Sequence, residues 1–314
     1  MFNLTKKEIN DIAKTNNFIS NTVEKVLRLV DVLEFINESE YGTTLSLKGG
    51  TAINLCLLDL PRLSVDIDFD FAKECSREEM LKDREDIAQL ITGYMLDQHY
   101  VLGSGSKKTH TLDSFVWKYD TLSNSKDSLK IEINYSNRCH VLDLVTTPSS
   151  NILCSPIQVF RLADEELIGS KINALIMRTV PRDVYDVYKL KKMNKIKNER
   201  LIKKIAIFYA VLSADKPIDF DALLDEACKK MAMLNYNKIR ETVLPVVHKG
   251  EKVVIEEIAS CVSEYVRTLF VLDEDEKEYI ARYNAGEFRP DILFKDFQVN
   301  DVSKHPMALW KLMQ

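Results

Sequence analysis

Residues 47–69 read LKGGTAINLCLLDLPRLSVDIDF, and the strand that closes this stretch decides how the chain is organised. From Val65 to Phe71 polar and apolar residues alternate with period two, the pattern of a β-strand. The alternation places Asp66, Asp68 and Asp70 on one face, with Ile67, Phe69 and Phe71 on the other. Carboxylates two residues apart on a strand lie about 6.6–6.8 Å from one another along it and project to the same side. Such a pair can share hard cations, and magnesium in particular is usually held by one or two carboxylates together with substrate phosphates. Taken alone, Asp66 and Asp68 also fit an edge strand with one wet face, and Asp70 reads best as a solvated strand end.

Working outward, Leu45, Ser46 and Leu47 form a short strand running into Gly49-Gly50, and Thr51 is placed as the N-cap of a helix through Leu58. Glycines let backbone N–H groups approach an anion, and a helix N-terminus favours negative charge. Fourteen residues separate Thr51 from Asp66, enough for one short helix and a return to the sheet. A phosphate cradle and a metal-binding strand would then be neighbours; without the acidic strand, Gly-Gly would be read as a plain tight turn. In Leu129–Tyr135 the alternation puts Lys130, Glu132 and Asn134 on one face. If that strand flanks the acidic one, Glu132 can serve as a third metal ligand; otherwise it is an exposed strand glutamate.

The rest of the chain supplies the frame. Residues 5–40 read as helices, and Ser76 with Glu79 makes a capping box for a helix up to Gln98. Strands are expected near Ser114–Tyr119 and Leu129–Tyr135, separated by the polar turn SNSKDS. From Asp164 onward the pattern is almost wholly helical: one helix to Arg178, then a second with Pro181 in its first turn. The expected fold is α+β, with an N-terminal mixed-sheet domain over residues 1–158 and a helical domain over residues 159–314.

Composition excludes several classes. Apolar residues make up 46% and charged residues 29%, with no run long enough for a membrane span. The first residues, MFNLTKKEINDIAKTNN, lack the apolar core of a signal peptide. Six scattered cysteines without a CxxC pair argue for reduced thiols, so a cytoplasmic protein is expected, with no zinc module. Residues 1–155 carry 17 basic and 23 acidic side chains. By contrast, Lys171–Lys204 holds 11 basic and three acidic ones. That block fits either a solvated helical face or an electrostatic footprint for nucleic acid.

The stretch LKGGTAINLCLLDLPRLSVDIDF resembles the signature of the AbiEii/AbiGii toxin family of nucleotidyltransferases, found in abortive-infection and type IV toxin–antitoxin systems. Lys171–Arg178 followed by Arg182, Asp183, Tyr185 and Asp186 is similar to the second signature of that family, and EFRPDILFKDF and HPMALWKL resemble its C-terminal segments. The resemblance implies a polymerase-β-like nucleotidyltransferase fold with a C-terminal helical domain. It also implies a magnesium-dependent enzyme, with two ions, moving a nucleoside monophosphate from an NTP to RNA, the tRNA 3′ end being the first acceptor to consider. Gly49, Gly50 and Thr51 would embrace the triphosphate, with Arg62 and Ser64 flanking it. Asp66 and Asp68 would hold the metals, Lys171 would offset phosphate charge, and Asp183 would be an essential acid. Val65 stands where the family often has an acidic residue, a departure expected to carry no catalytic cost. A cognate antitoxin is implied as partner, and no membrane. A small-molecule or protein hydroxyl as acceptor, and a catalytically silent antitoxin-binding module, remain as alternatives.

Overall fold

The computed structural model describes residues 2–214 and 217–313, which fall into two compact units. The first comprises the chain up to Cys139 with Leu144–Arg161 and Val246–Lys249; the second comprises His140–Asp143, Leu162–Pro245 and the chain from Gly250 onward. All six cysteines are free, and no helix among the described residues is long and apolar enough to cross a membrane.

The first unit contains, in chain order, α1 (Lys6–Thr15), α2 (Ser20–Glu38), β1 (Leu45–Lys48), α3 (Gly49–Ala52), β2 (Asp66–Phe71), α4 (Arg77–Asp97), β3 (Val101–Leu102), β4 (Lys107–Lys108), β5 (Leu112–Asp120), β6 (Lys126–Asn134), β7 (Val145–Pro148) and β8 (Gln158–Arg161). The strands form one mixed sheet in the order β3-β5-β6-β2-β1-β8-β7, with β4 also paired to β5. The acidic strand β2 is therefore interior, antiparallel to β1 and parallel to β6. Its apolar face, Ile67, Phe69 and Phe71, is buried, as are Val23, Val26, Leu27, Val30 and Leu33 of α2, which packs against β2, β6 and β8. Each such side chain taken fully out of water contributes about 1.5–3 kcal/mol, and an apolar face of this kind fixes the register, because a one-residue slip would expose it.

Several expectations are met closely. Ser76 and Glu79 form the capping box of α4, which ends at Asp97. Others are corrected. Thr51 is not an N-cap: the helix starts at Gly49 after an extended Lys48, and α3 continues as a π-helical turn over Ile53–Leu57. The Thr51 hydroxyl is instead spent on the strand, donating to the Asp66 carbonyl, with the Ser64 hydroxyl within hydrogen-bond distance of it (3.0 Å). The polar turn is shorter than SNSKDS suggests. Asn124 takes a left-handed conformation (φ 61°), the Thr121 N–H bonds the Ser125 carbonyl, and β6 begins at Lys126. Asp70 is no solvated strand end: it is buried and ion-paired to Lys48.

The second unit is helical after β8: α5 (Asp164–Arg178), α6 (Pro181–Lys192), α7 (Glu199–Ser213), α8 (Phe220–Ala232), α9 (Tyr236–Thr242), α10 (Ile255–Leu269), α11 (Glu274–Asn284), α12 (Pro290–Leu293) and α13 (Pro306–Leu312). Pro181 opens α6, where its missing N–H costs nothing. The acidic start of α5 does more than face the helix dipole. Glu166 is fully buried and accepts the backbone N–H groups of Val141 (3.0 Å) and Leu142 (2.9 Å) as well as the Tyr209 hydroxyl. Three donors on one buried carboxylate hold residues 140–143 to this unit and leave no lone charge in its core.

Candidate active site on the acidic strand

β2 presents Asp66 and Asp68 half-exposed on the face opposite its buried apolar residues. Strand pairing assembles a row around them. Lys48 of β1 lies directly opposite Asp68, and Glu132 of β6 lies beside Asp68 on the other flank, with Ser114 of β5 beyond it. Lys130 of β6 is the register partner of Asp66. The strand argument thus brings Glu132 to the face and level that a third ligand needs. In the resting structure its carboxylate is bonded to Lys130 (2.7 Å), and no group of three metal-ligating side chains gathers among the described residues.

The Gly-Gly turn is knitted into this face at three points. Gly49 adopts φ +70°, and a Cβ built there would stand 2.5 Å from Asp68 Oδ2. A Cβ on Gly50 would stand 2.9 Å from Arg62 Nη2 and 3.1 Å from Ser64 Oγ. Thr51 then bonds Ser64 and the Asp66 carbonyl. Arg62 is buried, donates to the Leu63 carbonyl (2.9 Å), and sits in a short segment that pairs with Val246–Val247. The two glycines are present because carboxylate, guanidinium and hydroxyl groups occupy the space their side chains would fill.

This arrangement fits a hard divalent cation. Asp66 and Asp68 offer only oxygen, on one face, partly open to solvent, and the bare backbone of Gly49 lies against the Asp68 carboxylate. Gly49→Ala tests the fit. The left-handed φ costs about 1–2 kcal/mol for any residue with a Cβ. The added methyl must also push Asp68 aside, and a displacement of roughly 1 Å lowers turnover about a hundredfold. We expect a folded variant with that loss in catalysis, measured by melting temperature and by turnover. Unchanged turnover would remove the Gly49–Asp68 contact from the site.

In the second unit, Lys171 and Asp183 are brought together. Lys171 is 5% exposed, and its Nζ lies 2.9 Å from Asp183 Oδ1 and 3.0 Å from Asp186 Oδ2. Arg178 closes the cluster with two bonds to Asp183 (2.7 and 3.2 Å). Burial pushes the Asp183 carboxyl up, but Lys171 and Arg178 outweigh it and hold the group below the usual carboxylate range. On the same helix Arg182 donates to the Thr242 carbonyl and Lys189 to Glu251, which also accepts from Tyr185. Asp186 was legible only as a neighbour of Asp183; its spacing of three on one helix face was the signal that both could meet one cation.

Much of the basic stretch is likewise committed. Lys189, Arg200, Lys203 and Lys204 are ion-paired, and Lys191 and Lys192 lie over the rings of Tyr265 and Tyr188.

Known proteins resemble this chain in sequence family and in fold. The family model "Nucleotidyl transferase AbiEii toxin, Type IV TA system" matches residues 31–268, spanning the Gly-Gly turn, the acidic strand and the Lys171–Asp183 cluster. Comparison with curated proteins gives no match. Among solved structures, MenT4, a nucleotidyltransferase toxin from Mycobacterium tuberculosis H37Rv, is similar in fold, with a TM-score of 0.65 at 15% identity. The match covers 94% of this chain and 100% of that one.

Proposed function

This chain belongs to the AbiEii family of nucleotidyl transferase toxins of type IV toxin–antitoxin systems. From that premise we propose that it moves a nucleoside monophosphate from an NTP to an RNA acceptor in a magnesium-dependent reaction that releases pyrophosphate. The observation that carries the proposal is the contact of Gly49 with the Asp68 carboxylate, which joins the two halves of the first motif.

Asp66 and Asp68 would hold the magnesium ions, with Glu132 joining once Lys130 releases it. Bound divalent ions would supply Lewis acidity to the acceptor hydroxyl and the leaving pyrophosphate. The chain's own share is positioning and charge. Gly49 and Gly50 would offer bare backbone N–H groups to the triphosphate, Thr51 and Ser64 fix that turn against β2, and Arg62 anchors the segment between them. Lys171 would offset triphosphate charge, its ammonium group held in place by Asp183 and Asp186. Family membership supports a separately encoded antitoxin as the genetic partner, and an RNA such as the tRNA 3′ end as acceptor.

The deciding experiment incubates the protein with magnesium, total cellular RNA and each labelled NTP in turn, beside Asp66→Ala. Label is expected in RNA with wild type alone. Label in a small molecule or in protein would overturn the RNA acceptor, and NTP binding without any transfer would favour the silent module.

The basic stretch allows a narrower test. Lys191 and Lys192 stack on tyrosines, while Lys195 and Lys197 lie just beyond α6. If the four steer RNA, neutralising all of them weakens RNA binding at low salt and leaves NTP affinity unchanged. The slope of log affinity against log salt should fall by roughly 0.7–0.9 for each phosphate that is no longer neutralised. An unaltered slope would make the stretch an ordinary solvated face.

A further inference from the structure

The three aspartates of β2 share a face but not an environment. Asp66 and Asp68 are half-exposed; Asp70 is 2% exposed and bonded through Oδ1 to Lys48 Nζ at 2.5 Å. The register makes this pairing informative. In the antiparallel β1–β2 pair Lys48 is directly opposite Asp68, and it is Ser46 that is opposite Asp70. Directly opposed side chains have Cβ atoms about 4.5–5.5 Å apart, whereas diagonal neighbours stand about 7–8 Å apart. The nearest carboxylate across the ladder from Lys48 is therefore that of Asp68, yet its ammonium group reaches diagonally to Asp70.

We propose that Asp70 is a positioning residue that tethers Lys48 and so keeps its ammonium group off Asp68, removing one competitor for a divalent cation at that carboxylate. The inference rests on the reading of Asp66 and Asp68 as the metal-holding pair. An ammonium group and a metal ion compete for the same carboxylate lone pairs, so a lysine across the strand from a metal ligand is an inhibitor unless something else holds it. Asp70 is suited to this and not to ligation: it is buried, its carboxylate already accepts from Lys48, and its own carbonyl accepts from Ser46 Oγ. The same pair fixes the level of Lys48, the residue from which the chain turns into Gly49.

The test is Mn2+ binding to the full chain without nucleotide, read by electron paramagnetic resonance, with turnover measured separately. Wild type should bind Mn2+, and Asp68→Ala should lose it. Asp70→Asn weakens the tether, so Lys48 is expected to swing to Asp68 and lower Mn2+ affinity up to about fivefold, the upper end of the scale of one competing ion pair. Removing the competitor as well, in Lys48→Met/Asp70→Asn, should bring affinity back to near the wild-type value. A ligand role for Asp70, or a merely structural one, predicts that the double variant binds no better than the single; that result overturns the tether, as does wild-type affinity in Asp70→Asn. If Asp70→Asn does not fold, Lys48→Met/Asp70→Leu, which leaves no buried charge, decides the matter. Mn2+ binding near wild type in that folded variant supports the tether, and its loss overturns it. A wild-type chain whose Mn2+ signal is indifferent to Asp68→Ala would instead overturn the metal pair itself, and the tether with it.

Discussion

Replacing Asp66 or Asp68 by alanine is expected to lower nucleotidyl transfer by at least about a thousandfold, since a metal ion placed at a reacting phosphate supplies several kcal/mol of transition-state stabilisation. The fold should survive. Both side chains stand half-exposed on the open face of β2, while the packing that holds the strand comes from Ile67, Phe69 and Phe71 on the other. Either variant is expected to keep a cooperative melt close to that of wild type in metal-free buffer, because the buried apolar face that holds the strand is untouched. Loss of activity with retained stability is the signature that separates a metal pair from a structural one. The same variants provide the matched control for toxicity. Induction of wild type should slow bacterial growth, Asp66→Ala at equal protein level should not, and the antitoxin should relieve the former. Full transfer by either alanine variant in the presence of magnesium would sink the assignment.

How much of this was legible in sequence depends on the range of the interaction. The alternation in β2 and the capping box of α4 are local, encoded within a few residues, and both appear where the pattern puts them. Alternation gave the face of Glu132 but left open whether its strand flanks the acidic one; the parallel β2–β6 pairing supplies that neighbour. What escaped is what a partner strand decides. Asp70 has the same local pattern as Asp66 and Asp68, and only the β1 register, which brings Lys48 across, makes it a buried ion pair. Thr51 has the residue type of an N-cap, but a hydroxyl beside a strand found a better acceptor in the Asp66 carbonyl. Strands β7 and β8, with four residues each, carry too little pattern to be read before their neighbours are known. Likewise the eleven cations of the 171–204 stretch look like one patch in sequence, yet Lys189, Arg200, Lys203 and Lys204 find acidic partners tens of residues away, at Glu251, Asp296 and Glu276.

Lys171→Ala is expected to abolish transfer with any acceptor and also to destabilise the chain, and the two effects can be separated. Lys171 neutralises two buried carboxylates at once, Asp183 and Asp186, and Arg178 also bonds Asp183. Deleting one partner of a buried pair typically costs about 3–5 kcal/mol, because a charge is left without compensation. The pH dependence identifies the cause. In wild type the depressed pKa of Asp183 adds stability that is present above its unfolded value of 3.8 and is lost as pH falls through the lower folded one. Without Lys171, burial weighs more heavily on Asp183 and lifts its folded pKa from the depressed wild-type level, so the variant's deficit should be largest at neutral pH and shrink on mild acidification. A deficit that is flat with pH would point to lost packing of the lysine stem. Lys171→Met/Asp186→Asn removes one of the two carboxylates along with the ammonium group and keeps the apolar stem, so it should recover most of the stability. If transfer stays lost in that repaired variant, with its melting temperature close to wild type, Lys171 acts on the triphosphate. If transfer returns with stability, Lys171 only holds α5 to α6, and the charge of the triphosphate must be met by another cation.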